Sequence, residues 1–133
     1  MSDNGLITVL SSHSVAETID RLAEASTSAG MHVFVRIDHA ANAETVGMPL
    51  RPTELLIFGN PKGGTPLMQD QQTAGIDLPV KALAWQDEED RVWLTYNDPE
   101  WLASRHGLGA GSEESIEAMR MGLAVLSTAA TES

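Results

Sequence analysis

The stretch VKALAWQDEEDRVWLTYN, residues 80–97, constrains the fold more than any other part of the chain. Two β-prone runs, 80–87 and 91–97, flank the three residues Glu88-Glu89-Asp90. A three-residue hairpin loop needs its last residue in the left-handed region, where glycine is best and Asp is tolerated. Asp90 fits that slot, so Asp87 pairs with Arg91 and Trp85 lies opposite Trp93. In this register Ala82, Ala84, Val92, Leu94 and Tyr96 share one apolar face. Lys81, Leu83, Trp85, Trp93, Thr95 and Asn97 share the other, and a slip of one residue on one strand would break the pairing.

The other elements follow from periodicity and caps. Residues 6–10 are a short β-prone run. Ser14 and Glu17 have capping-box spacing, Val15, Ile19, Leu22 and Ala29 recur with helical period, and Gly30 offers a left-handed stop, giving a helix over 14–29. Residues 31–39 alternate as a strand, with Met31, Val33, Val35, Ile37 and His39 on one face. Residues 40–47 form a short helix, and 53–58 are apolar enough for a central strand. Gly59 to Gly64 reads as a turn, after which Thr65-Pro66 caps a helix reaching Gln71. Asp98-Pro99 caps another helix, Gly107, Gly109 and Gly111 form a flexible joint, and a last helix spans 112–130. The order β-α-β-α-β-α-β-β-α-α predicts an α+β fold in two layers, a mixed five-stranded sheet with helices packed on it. Residues 1–133 are expected to form a single domain, with a core over 6–108 and the C-terminal helix following the glycine joint.

Composition narrows the function classes. A chain of 133 residues, 42% apolar, is long enough to bury a core. It has no cysteine, which excludes disulfides, thiolate zinc sites and iron–sulfur clusters. With 19 acidic against 8 basic side chains the net charge is −11, unsuited to phosphate backbones or anionic lipid. Nucleic acid and membrane partners are therefore not expected. The start, Met1 to Gly5, lacks the basic residues and cleavage site of a secretory signal, so a cytoplasmic address is expected.

Chemistry has few places to reside. Lys62-Gly63-Gly64-Thr65 follows a strand and precedes a helix, where free backbone N–H groups and a lysine can hold a small anion. A tight strand-to-helix turn explains the same residues. Asp38-His39 offers a carboxylate and an imidazole, or a helix cap and a core histidine. His13, His32, His39 and His106 lack metal-ligand spacing, and no metal or cofactor is expected. Six basic residues, Arg36, Arg51, Lys62, Lys81, Arg91 and Arg105, cluster in mid-chain, where they either pair locally with carboxylates or share a basic pocket. Trp85 and Trp93 are expected either under a helix or at a homodimer contact.

The blocks IDHAANAETVG (37–47), LRPTELLIFGNPKGGTPLM (50–68), DLPVKALAW (77–85) and VWLTYNDPEWLASRHGL (92–108), in that order and spacing, resemble the domain of unknown function 302 family over roughly residues 6–130. The resemblance implies a compact α+β domain of bacteria and archaea, usually a homodimer, with no assigned activity. By position, the motif residues it carries over are Asp38, His39, Arg51, Pro52, Thr53, Asn60, Pro61, Gly64, Thr65, Pro66, Lys81, Tyr96, Asp98, Arg105 and His106. Asp90 departs from the family's glycine, and the joint at 107–111 is longer than in similar chains.

Three functions remain open. In the preferred one, a regulatory or binding module holds a small anionic molecule on a rim formed by Asp38, His39, Arg51, Asn60, Lys62, Gly64, Thr65, Lys81, Tyr96, Arg105 and His106. An enzyme would use His39 or His106 as acid or base, oriented by Asp38 or Asp98. An interaction module would use the tryptophan face.

Overall fold

The computed structural model describes residues 4–133; Met1 to Asp3, read above for the missing secretory signal, lie outside the described residues. The strands are β1 (Leu6–Ser11), β2 (His32–Asp38), β3 (Thr53–Gly59), β4 (Val80–Gln86) and β5 (Val92–Asn97). The helices are α1 (Val15–Ser28), α2 (His39–Thr45), α3 (Pro61–Asp70), α4 (Pro99–His106) and α5 (Glu113–Thr131), with 3₁₀ segments at Gln72–Asp77 and Ala110–Ser112.

The α+β class and the five strands agree with the sequence reading, but the sheet is not mixed. Its order is β1-β5-β4-β3-β2 and every pairing is antiparallel. A parallel crossover must return along the full length of a strand. The α2 and α3 connections instead reverse direction and deliver neighbouring strands, while the long α1 connection carries the chain from one sheet edge to the other.

The hairpin has the expected register, with Trp85 opposite Trp93 and Ala84 opposite Leu94. Asp90 adopts φ 63°, and the Asp87 amide donates to the Arg91 carbonyl at 2.8 Å. Asp87 also accepts from the Trp93 indole at 2.9 Å. That bond, followed by those from the Arg91 and Glu89 amides and the Arg91 side chain, lowers its carboxyl to about 2.

On one face of the sheet, Leu56, Phe58, Ala82, Ala84, Leu94 and Tyr96 are buried beneath Val15, Ile19 and Leu22 of α1 and Leu123, Leu126 and Ala130 of α5. Within this layer Glu54 is only 8% exposed and accepts from Arg36 Nε at 2.7 Å. Arg36 also donates to Asp20 at 2.5 Å and to the Ala16 carbonyl at 3.2 Å. The bond to Glu54 is the main reason its pKa is raised.

Two local expectations are corrected. β2 does not alternate regularly, because a bulge between Val33 and Val35 shifts the register and lets Met31 and Phe34 line the same cavity. α3 begins four residues before the expected Thr65 cap. Asn60 is the N-cap, its side chain accepting from the Lys62 amide at 2.9 Å, with Pro61 at the first helical position. Both Asn60-Pro61 and Thr65-Pro66 carry the cap-then-proline pattern, and Gly63-Gly64 reads as a breaker. The earlier start carries Gly63, Gly64 and Pro66 inside the helix at a cost in propensity, and Leu67, buried against Ala74 and Ile116, is helical under either start.

Candidate functional site

A cavity of about 510 Å³ opens where the start of α3, the first half of α5 and the adjoining ends of β2, β3 and β4 meet. Met31, Phe34, Met68, Leu78, Met119 and Leu123 supply apolar walls. Three of the chain's six methionines are among them, and unbranched thioether side chains adapt to the shape of whatever they enclose. The size falls within the range of small-molecule pockets.

Gly63, Gly64 and Gly122 also line the cavity. All three are inside helices, where glycine is about 1 kcal/mol worse than alanine. None has a positive φ. A Cβ added at Gly63 or Gly122 would meet nothing within 4 Å, and one at Gly64 would make an ordinary 3.6 Å contact with Leu78. Neither backbone conformation nor tight packing calls for glycine here; what the three positions share is that they line the same space.

Asn60, Lys62 and Thr65 stand at the rim on the α3 side, and Glu114 and Ser115 on the α5 side. The expected nest of free amides is not available. Lys62 N–H is held by the Asn60 side chain, and the Gly63 and Gly64 N–H groups donate to the Asn60 carbonyl at 2.8 and 3.2 Å. Lys62 forms no ion pair among the described residues and sits in the first turn of its helix, where the dipole disfavours a cation. Glu114, in the first turn of α5, is on the end that suits an anion.

The single rim read from the sequence does not form. Asn60, Lys62, Gly64 and Thr65 line this cavity, whereas Asp38 and Arg51 line a separate groove beside α2. Asp38 caps α2 by accepting from the Ala41 amide at 2.9 Å, and His39 is the first residue of that helix, not the last of a strand. Lys81 lies on the opposite sheet face in line with Ile57, and Tyr96 is buried under the helices. Local pairing accounts for Arg36, Arg91 and Arg105; Arg51, Lys62 and Lys81 have no ion pair among the described residues. Five places thus divide the expected site, because residues close in sequence blocks leave the sheet on different faces and at different ends.

Arg105 and His106 meet at Asp77, a residue not singled out from the sequence. His106 Nε2 lies 2.5 Å from Asp77 Oδ2, its Nδ1 is 3.4 Å from Thr73 Oγ1, and Arg105 reaches the same carboxylate at 3.2 Å. Neither Asp38 nor Asp98 orients a histidine, since Asp98 caps α4 through the Glu100 amide. The Asp77–His106 pair, with side chains 12% and 7% exposed, is an acid–base pair in form, but none of the cavities described here opens on it. Its evident role is to tie the 3₁₀ segment to α4.

The glycine joint is also pinned. Asp70 Oδ2 accepts from the Gly109 amide at 2.8 Å and the Ser112 hydroxyl at 2.6 Å, bonds that lower its pKa, Ser112 first. This corrects the flexible linker. Residues Met31, Phe34, Met68, Met119 and Gly122 of the cavity were not anticipated. Gly122, a glycine inside an otherwise strong helical run, was the one signal available.

The family model described as Domain of unknown function DUF302 matches residues 7–126. A crystal structure of an uncharacterized conserved protein DUF302 from Bacillus stearothermophilus superimposes with a TM-score of 0.84 at 21% identity, covering 95% of this chain and 98% of that one, which bears on the fold alone. Curated relatives from Brucella suis and Brucella abortus, both named Fluoride-specific ion channel FluC 1, are 59% identical over 120 residues. The match covers 90% of this chain but 47% and 44% of those proteins, so the chain spans about half the length of the curated relatives it matches.

Proposed function

The chain belongs to the DUF302 family, whose name assigns no activity, and from that premise we propose that it is a small-molecule-binding, regulatory module whose ligand occupies the cavity between α3 and α5. The observation that carries this reading is the set of three helix-interior glycines around one apolar space. Methyl-labelled methionine spectra test it against a panel of small aliphatic and aromatic fragments. Binders should move the Met31, Met68 and Met119 signals together and leave the exposed Met48 and Met121 in place. Shifts confined to Met48 or Met121, or none with any fragment, would refute it.

A second copy of the chain is the proposed partner, through the sheet face away from α1 and α5. Rows of facing side chains cross it: Ile37, Leu55, Leu83 and Thr95 in one, Thr53, Trp85, Trp93 and Leu10 in another. Leu10 is 56% exposed and Val35 41%. The Trp85 indole donates to Thr95 and that of Trp93 to Asp87, so the paired rings, 6.3 Å apart, satisfy their polar atoms within the protomer and offer apolar surface outward. The cytoplasmic address belongs to the same proposal and rests on the sequence alone.

The channel name of the longer relatives fits the part of them that this chain does not match. No helix among the described residues is long and apolar enough to cross a membrane, and the five-stranded sheet is open, with β1 and β2 as its edges. In our reading those relatives carry this module beside the conducting part, as a regulatory attachment.

A further inference from the structure

Resting on the cavity as a ligand site, we infer that its ligand is an apolar-bodied monoanion of the medium-chain carboxylate type, its tail among the methionines and its head group at Lys62 and Thr65. The walls demand an apolar body. Met31, Phe34, Met68, Leu78, Met119 and Leu123 offer it no hydrogen-bonding partner beyond the rim. Three glycines leave parts of its lining without side chains, which suits a slender chain.

The sign of the head group follows from which rim charge is already compensated. Glu114 faces the positive end of its own helix, so its charge is partly offset where it stands. Lys62 has no ion pair among the described residues and adds its charge to the positive end of α3. Neither Glu114 nor Lys62 has an ion pair among the described residues. Only Lys62 stands at a helix end that disfavours its charge, so a negative head group is the complement it lacks, within a chain of net charge −11. That overall charge disfavours multiply charged anions at a distance, and a monoanion with a long apolar body draws its affinity from burial. The α3 amides are taken by Asn60, so the head group is held by the Lys62 ammonium and the Thr65 hydroxyl.

Decanoate, decanol and decylamine, each below its micelle-forming concentration, separate the possibilities with the same methionine methyl signals as readout. Decanoate should bind about tenfold more tightly than decanol, the scale of one charge-assisted contact, and decylamine most weakly. Lys62→Met should remove the preference for decanoate while decanol still binds, and Gly122→Leu should abolish binding of both. Circular dichroism checks that the variants fold, and the wild-type comparison of the three probes stands without them. Equal affinity for decanoate and decanol, or tightest binding of decylamine, would overturn the monoanion and leave the cavity reading intact. Absence of methyl shifts with all three in the wild-type protein would overturn both this inference and its apolar-chain premise, whereas shifts with other fragments alone would still uphold the cavity.

Discussion

Replacing Gly122 by alanine should make the protein more stable. The residue lies inside the 19-residue helix α5, where the change gains about 1 kcal/mol of helix propensity. A new methyl there meets nothing within 4 Å, so no packing term opposes the gain. For a chain of this size that corresponds to a rise of roughly 3–5 °C in melting temperature. Gly5 provides the contrast. Its φ is +75° and an added Cβ would lie 2.3 Å from the Trp101 ring, so Gly5→Ala should lose roughly 3 kcal/mol and melt about 10 °C lower. Differential scanning calorimetry of the two variants beside the wild type reads both shifts. If Gly122→Ala melts at or below the wild-type temperature, the space beside α5 is filled in solution and the glycine argument for a ligand cavity fails.

Arg36→Leu should destabilise the fold by about 2 kcal/mol in urea denaturation, less than the 3–5 kcal/mol of a fully enclosed pair because Arg36 is partly exposed, and adding Glu54→Leu should recover most of the loss; a neutral single variant would show that Glu54 does not depend on its partner. Asp87 titrates well below an ordinary carboxylate, so its contribution is present above about pH 4 and lost as the pH falls through about 2. Tryptophan fluorescence should follow that loss, and Asp87→Asn should flatten the transition; an unchanged profile would detach it from the Trp93 bond. Leu83→Glu puts a charge in the middle of the open sheet face and should shift sedimentation from dimer to monomer, with a monomeric wild type or an unaffected dimer counting against that face.

Sequence and tertiary structure divided the determination of this protein along a physical line. The hairpin register, the left-handed Asp90 and the caps at Ser14, Asp38 and Asp98 are interactions within a few residues, so the local string of side chains is enough to fix them. The start of α3 shows the limit of that reasoning. Two cap-and-proline pairs compete five residues apart, and the helix takes the earlier one with Pro66 in its interior, a choice the local string does not make. Sheet direction escaped for the same reason, since helices between strands do not reveal whether they cross over or turn back.

The cavity was the least legible feature, because its walls come from β2, α3, the loop before β4 and α5. Asp77 with His106, and Asp70 with Ser112, likewise join residues 29 and 42 positions apart. Motif residues that look like one site in the sequence are dispersed in space by the alternation of strands and the ends from which helices leave the sheet. The amino-acid order alone determined which residues turn, cap and pair with their neighbours. Only the packing of helices on the sheet decided which distant side chains share a space, because apolar burial has no sequence direction of its own.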